Sequence, residues 1–189
     1  LAPVEKAGVP LVGPVTGAAS LRQNALRHVF HVRASYRDET QRILQQMLSW
    51  GIGNIALVHL DNPFGLELLK DAEAAFAARN VKSAGSFALA ADGSNAAALA
   101  ERVAAAKPGA VFLATTGTAN TAFLLPFRRL STATPMVGLS VSVINAELRK
   151  LGDASKGLAL TQVLPDATSS RTAAARSFQA AMRAAGSEA

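Results

Sequence analysis

Asn54-Ile55-Ala56-Leu57-Val58-His59-Leu60-Asp61-Asn62-Pro63-Phe64-Gly65 is the stretch on which the fold turns. Residues 54–60 make a nearly continuous apolar run, the composition of a strand covered on both faces. Asn62 then offers a side-chain oxygen to the free backbone N–H groups that open a helix. Pro63 suits the first helical position, because its φ is preset and the N–H it lacks would have had no partner there. A buried strand that turns directly into a helix is half of a βαβ unit, and such units build parallel sheet.

The same alternation runs outward in both directions. Hydrophobic periodicity predicts helices over about 37–50, 64–79, 94–107, 119–130, 144–151 and 172–185, and strands over about 54–60, 84–89, 110–115, 136–140 and 157–163. Ser35 is an N-cap candidate with Asp38 and Glu39 in the first turn, and Gly51 stops the helix that follows. Ser94 or Asn95 caps the third helix, and Ala110-Val111-Phe112-Leu113-Ala114 is again a buried strand. The ends differ from the middle. Residues 9–17 read as a short strand entering a Gly/Pro loop and residues 28–32 as another strand. Beyond the linker Pro165–Ser170, the final amphipathic helix has no following strand to cover, and a lone helix of that kind is marginal.

Three strand ends therefore open onto one edge of the sheet, at Asp61–Gly65, at Thr115–Asn120 and at Leu139–Ser142. In an open parallel α/β sheet, ligands bind in the crevice outside the carboxyl ends of the strands. Loops there that carry hydroxyls, an aromatic ring and glycines point to a small-molecule site.

Composition narrows the alternatives. A chain of 189 residues with 50% hydrophobic content buries a real core. No apolar run reaches the roughly 18–20 residues that cross a bilayer, and Leu1–Lys6 lacks the layout of a secretion signal. The formal charge of +6 is spread along the chain, and the pairs Arg128-Arg129 and Arg149-Lys150 form no aromatic-interleaved basic stripe, so nucleic acid is not an expected partner. The absence of cysteine excludes disulfides and thiolate chemistry without fixing a compartment. Enzyme chemistry finds little to stand on. His59 and Asp61 are two apart on one strand and Ser140 ends another, whereas a triad needs the nucleophile bonded to a base that a third group orients, and no Gly-x-Ser-x-Gly elbow is present. His28 and His31 point to opposite faces of a strand, so no metal site is expected. Neither a Walker motif nor Gly-x-Gly-x-x-Gly occurs, and no cofactor is expected.

Five segments in order carry a family likeness: Val9-Pro-Leu-Val-Gly-Pro-Val-Thr-Gly-Ala18, Phe30-His-Val-Arg-Ala-Ser-Tyr-Arg-Asp-Glu39, Ile55-Ala-Leu-Val with Asn62-Pro-Phe-Gly65, Lys107-Pro-Gly-Ala-Val-Phe112, and Gly157-Leu-Ala-Leu-Thr-Gln-Val-Leu-Pro165. The chain resembles the type I periplasmic solute-binding proteins of ABC transporters, in the leucine/isoleucine/valine-binding-like branch. The resemblance implies an α/β fold: a parallel Rossmann-like sheet of flavodoxin-like order with helices on both faces. It implies one nearly complete lobe of a two-lobe protein, residues 34–163, with residues 1–33 as a remnant of lobe one and residues 164–189 as the return toward it. A truncated form of a protein about twice as long is the expectation. A periplasmic location, a small-molecule solute and the membrane permease of an ABC transporter are the implied setting and partners. The incomplete lobe raises the prospect of self-association.

Carried residue by residue, the resemblance places backbone and hydroxyl contacts to solute at Val15, Thr16, Gly17 and Ala18, where an ordinary turn is the plainer reading. Tyr36, at the inferred crossover, offers a ring and a hydroxyl, or serves as hinge packing. Phe64 stands where relatives carry a solute-contacting aromatic, often tyrosine, and burial is its alternative. Thr116 and Gly117 lie where the sheet order is expected to reverse, with Thr118 as an N-cap candidate. Ser140 stands at about the position where the branched-chain amino-acid binders meet the ligand's ammonium with an acidic residue. A buried ammonium without a carboxylate is costly, which favours a neutral or acidic organic solute. Two further readings keep the fold: a ligand-sensing domain of a regulator, and a truncated fragment that binds nothing.

Overall fold

The computed structural model describes residues 2–23 and 26–187. In chain order its elements are α1 (Ala2–Ala7), β1 (Leu11–Val12), β2 (Val29–Phe30), α2 (Tyr36–Ser49), β3 (Asn54–Leu60), α3 (Pro63–Ala77), β4 (Lys82–Leu89), α4 (Ala96–Ala105), β5 (Ala110–Ala114), α5 (Thr118–Leu130), β6 (Met136–Gly138), α6 (Asn145–Leu151), β7 (Leu158–Leu160) and α7 (Ala173–Ala184). Short 3-10 turns cover Ala19–Leu21 and Gly152–Ser155.

Strands β3 to β7 form one sheet in the order β4-β3-β5-β6-β7, with every neighbouring pair parallel. The chain leaves β3 for β4 on one side and then returns to the other side of β3 for β5. The order thus reverses between β3 and β5, and the carboxyl ends of β3, β5 and β6 share one edge. Val58 faces Leu113, and Leu113 faces Gly138 across that region. A separate parallel pair, β1 with β2, aligns Leu11 with Val29.

The alternating strand and helix pattern produces a two-sided core. On one face, Ile55, Leu57 and Phe112 pack with Ile43, Leu44 and Met47 of α2 and Leu68 and Phe76 of α3. On the other, Val58, Val111 and Leu113 pack with Leu99 and Val103 of α4 and with Phe123 and Phe127 of α5. The rings of Phe123 and Phe127 stack with centroids 5.4 Å apart. Phe64 touches both clusters, because it sits where the sheet ends.

From β1 onward the element order follows the sequence reading; α1 is not among the predicted elements, β2 and β7 are shorter than the predicted 28–32 and 157–163, and other details depart as well. Strand β1 shrinks to two residues because Pro10, Gly13 and Pro14 flank it, with Gly13 at φ +65°. Strand β6 stops at Gly138, since Ser142 folds back to accept the Leu139 N–H at 3.0 Å, and a Cβ on Gly138 would lie 2.8 Å from Ser142 Cβ. Gly117, rather than Thr118, occupies the N-cap of α5 at φ +79° and ψ −169°, a conformation in which only glycine is unstrained. Helix α7 buries Ala175 alone, while Phe178, Leu164 and Pro165 line an open apolar groove.

Candidate functional site

At the end of β3 the strand folds straight onto α3. Asn62 accepts the Gly65 N–H at 2.9 Å, and a Cβ on Gly65 would lie 2.0 Å from the Leu60 carbonyl oxygen. That closeness fixes Phe64 at the strand's carboxyl end. The Phe64 ring meets Tyr36 edge-on, with centroids 5.5 Å apart. Tyr36 begins α2 behind a capping box in which Ser35 Oγ accepts the Asp38 N–H at 3.1 Å and Asp38 accepts the Ser35 N–H at 2.9 Å. The Ser35 hydroxyl, and then its backbone N–H, hold the Asp38 carboxyl below the ordinary aspartate range.

The Gly/Pro loop lies against this pair. The Tyr36 N–H donates to the Gly17 carbonyl at 3.0 Å, and Thr16 Oγ1 donates to the Tyr36 hydroxyl at 3.3 Å while accepting the Ala18 N–H at 3.2 Å. Gly17 is buried, and a Cβ there would lie 2.8 Å from Tyr36 N. Glu67 of α3 accepts the Ala19 N–H at 2.6 Å, which ties the loop to the end of β3. Val15 is 82% exposed, and only its carbonyl, held by Arg33, joins this arrangement.

A second bracket joins the ends of β5 and β6. Thr116 Oγ1 donates to the Val141 carbonyl at 2.7 Å. Thr115 donates to the Asn120 side chain, which donates in turn to the Ser142 carbonyl, and Ser142 Oγ donates to the Leu113 carbonyl at 3.0 Å. Gly117 and Thr118 are exposed at the start of α5, where no side chain caps the helix. Free N–H groups at that end favour a carbonyl or an anion.

Ser140 belongs to a polar hub that sequence reasoning missed. Its N–H donates to Glu39 Oε2 at 2.8 Å, its hydroxyl donates to Glu39 Oε1 at 3.2 Å, and Arg33 Nη2 donates to that hydroxyl at 3.0 Å. Glu39 also pairs directly with Arg33 and accepts from Thr161 Oγ1. The Glu39 side chain is 3% exposed and that of Arg33 8%. The Arg33 guanidinium lies over the Tyr36 ring at 5.1 Å from its centroid. A carboxylate therefore does stand beside Ser140, but it comes from α2 and is matched by an arginine. The available signal was that Glu39 precedes Thr40, Ile43, Leu44 and Met47, the buried face of α2.

Of the nine residues singled out from sequence, Thr16, Gly17, Ala18, Tyr36 and Phe64 form one contiguous group. Thr116 and Gly117 stand on the bracketed β5 loop. Ser140 stands on the β6 loop and is linked to Tyr36 through Arg33. A cleft of about 440 Å³ beside Glu39 is lined by Ala34, Asp38, Arg42, Thr161, Gln162 and Val163 and includes none of the nine. His59 is buried, with Nδ1 3.0 Å from the Leu60 carbonyl oxygen. Among the described residues no cluster of His, Asp or Glu could hold a metal ion, and no helix is long and apolar enough to cross a membrane.

An open parallel sheet that reverses at β3 and β5, with aromatic, hydroxyl and free N–H groups gathered at its carboxyl edge, defines an α/β unit of binding-protein type. The chain belongs to the periplasmic binding protein family, whose family model matches residues 1–189. No curated protein matches it. Among solved structures it is similar to an extracellular ligand-binding receptor from Verminephrobacter eiseniae, at 25% identity and a TM-score of 0.85 over 94% of this chain and 51% of that one. It is similar to a substrate-binding periplasmic protein from Ralstonia solanacearum, at 25% identity and 0.83 over 97% and 52%. It shares its fold with a branched-chain amino acid ABC transporter protein from Thermus thermophilus with bound valine, at 19% identity and 0.80 over 97% and 48%. The chain thus spans about half the length of the solved structures that it matches.

Proposed function

We propose that this chain is the solute-binding component of an ABC-type importer and holds a small organic carboxylate, amide or amino-acid-like solute without transforming it. The observation that supports the reading is the packing of Phe64, Tyr36 and the Thr16–Ala18 loop at the end of β3, on the same carboxyl edge of the sheet from which β5 leads to the uncapped start of α5. The half-buried Phe64 ring supplies apolar contact with the buried Tyr36 ring behind it, and the free N–H groups after Gly117 supply donors for a carbonyl or carboxylate. In this reading residues 34–163 are one lobe, while residues 1–33 and 164–189 belong to the other, and the solute sits in the cleft between them. Family membership supports a periplasmic location and delivery of the solute to a membrane permease.

The carboxylate of Glu39 removes part of the objection to an ammonium-bearing solute, but its pairing with Arg33 leaves the hub close to neutral. Neutral and acidic solutes remain the favoured class. Calorimetric titration of the chain with benzoate, isobutyramide and valine tests the reading. Saturable heat with benzoate or isobutyramide is expected, and heat with valine alone would overturn the preference for a solute without an ammonium.

A further inference from the structure

We infer that Arg33 and Glu39 are a positioning pair that sets the seat of the solute by locking the Gly/Pro loop, the Tyr36 ring and the β6 loop to both ends of the residue 34–161 segment. The inference rests on the site proposed above and adds to it residues that touch no solute themselves. One guanidinium serves five residues at once: Nη1 donates to the Val15 carbonyl, Nε donates to the Ala34 carbonyl at 3.2 Å, Nη2 reaches Glu39 and Ser140 Oγ, and the plane covers Tyr36. One carboxylate gathers the partners that remain, namely the Ser140 N–H, the Ser140 hydroxyl, the Thr161 hydroxyl and Arg33. Thr161 itself donates its N–H to the Gly138 carbonyl at 3.1 Å, so the chain just after β7 is held against the same strand end.

A planar fork with several donors in fixed directions does this, and an ammonium does not, because lysine is a point charge on a flexible stem. Burial makes the arrangement exacting. Each charge is out of water and is compensated only while its partners stay in place, so a displaced loop leaves an unpaired group behind. The geometry of the seat is thereby bound to the geometry of the two chain segments that flank α2 and follow β7. The pair also cancels its own charge, so it shapes the site without adding net charge to it.

Tyr36 is the only tyrosine in the chain, so its ring resonances report this place without ambiguity. The test compares the wild-type chain with Arg33→Lys and Glu39→Gln by NMR and amide exchange, with benzoate, isobutyramide and valine as probes. In Arg33→Lys the Tyr36 ring signals shift, and exchange at the Ser140 and Tyr36 amides rises by about tenfold to a hundredfold, the equivalent of one charge-assisted hydrogen bond. Amides of Val58 and Leu113 in the core stay as in wild type, and affinity for any probe that binds falls together with the Tyr36 change. Glu39→Gln, which keeps the shape and loses the charge, moves the same signals.

Tyr36 and Ser140 signals unchanged in both variants would overturn the inference. So would loss of the Val58 and Leu113 signals in both, because the pair would then be a requirement of folding rather than of position. If the wild-type chain bound none of the three probes, the proposed function would fail, while the Tyr36 and Ser140 signals would still decide the role of the pair.

Discussion

The rings of Tyr36 and Phe64 cross at 86° with their centroids 5.5 Å apart, although one opens α2 and the other opens α3. An edge-to-face pair of this kind contributes about 0.5–1.5 kcal/mol beyond the area that it buries. It also sets the wall of the candidate site, since Tyr36 carries the Thr16 contact and Phe64 closes the end of β3.

Phe64→Ala is expected to lower stability by about 2–3 kcal/mol, below the range for a fully buried phenylalanine because this ring is half-buried. Phe64→Leu should recover most of that loss but not the affinity for an aromatic carboxylate such as benzoate, which needs the ring. Denaturant unfolding of both variants, with titration of benzoate, separates the two effects. Equal affinity in wild type and Phe64→Leu would remove Phe64 from the site.

At Gly17 there is no space for a methyl group. A Cβ would lie 2.8 Å from Tyr36 N, 3.0 Å from Tyr36 Cδ1 and 3.1 Å from the Ala34 carbonyl oxygen. Backbone must give way on at least one side, and Gly17→Ala is expected to cost about 1–3 kcal/mol, as overpacking does. The Tyr36 N–H bond to Gly17 should open with it, seen as faster exchange of the Tyr36 amide. Wild-type exchange in this variant would contradict the described fit.

The α2 cap gives a pH-dependent signature. Removing the Ser35 hydroxyl in Ser35→Ala should cost about 1 kcal/mol near neutrality. The Asp38 carboxyl is held low in the folded chain by Ser35, so its contribution is complete above the ordinary aspartate range and is lost as pH falls through the lowered value. Stability of Ser35→Ala should therefore fall less steeply than wild type on acidification through that window. Parallel curves from thermal melts across the acid range would count against the capping box.

Gly117 tests strain rather than contact. Nothing lies within 4 Å of a Cβ placed there, yet its backbone occupies a region closed to other residues. Gly117→Ala should cost about 1–3 kcal/mol or move the start of α5. A melting temperature equal to wild type, with the Thr118 amide unshifted, would show that the loop has a different conformation.

The fold was legible wherever local chemistry and long-range order agree. Asn62 and Pro63 mark the start of α3 by their side-chain and ring chemistry alone, and the apolar runs at 54–60 and 110–114 announce strands covered on both faces. The site was legible only in part. Glu39 reads in sequence as a first-turn acid, a role that is normally solvated, and its partners Ser140 and Thr161 lie 101 and 122 residues further along. No local pattern encodes such a meeting. The cap of α5 was misplaced by one residue because Thr118 has the better capping side chain, whereas the chain uses a backbone angle that Gly117 alone adopts without strain. Helix α7 lies beside an apolar groove lined by Leu164, Pro165 and Phe178.

Residue-by-residue NMR mapping of the chain with benzoate, isobutyramide and valine tests the central claim most directly. The account predicts saturable shifts that centre on Tyr36, Phe64, Thr116 and Gly117, with each compound recovered unchanged. Shifts confined to other surfaces, or chemical conversion of any of the three, would contradict it.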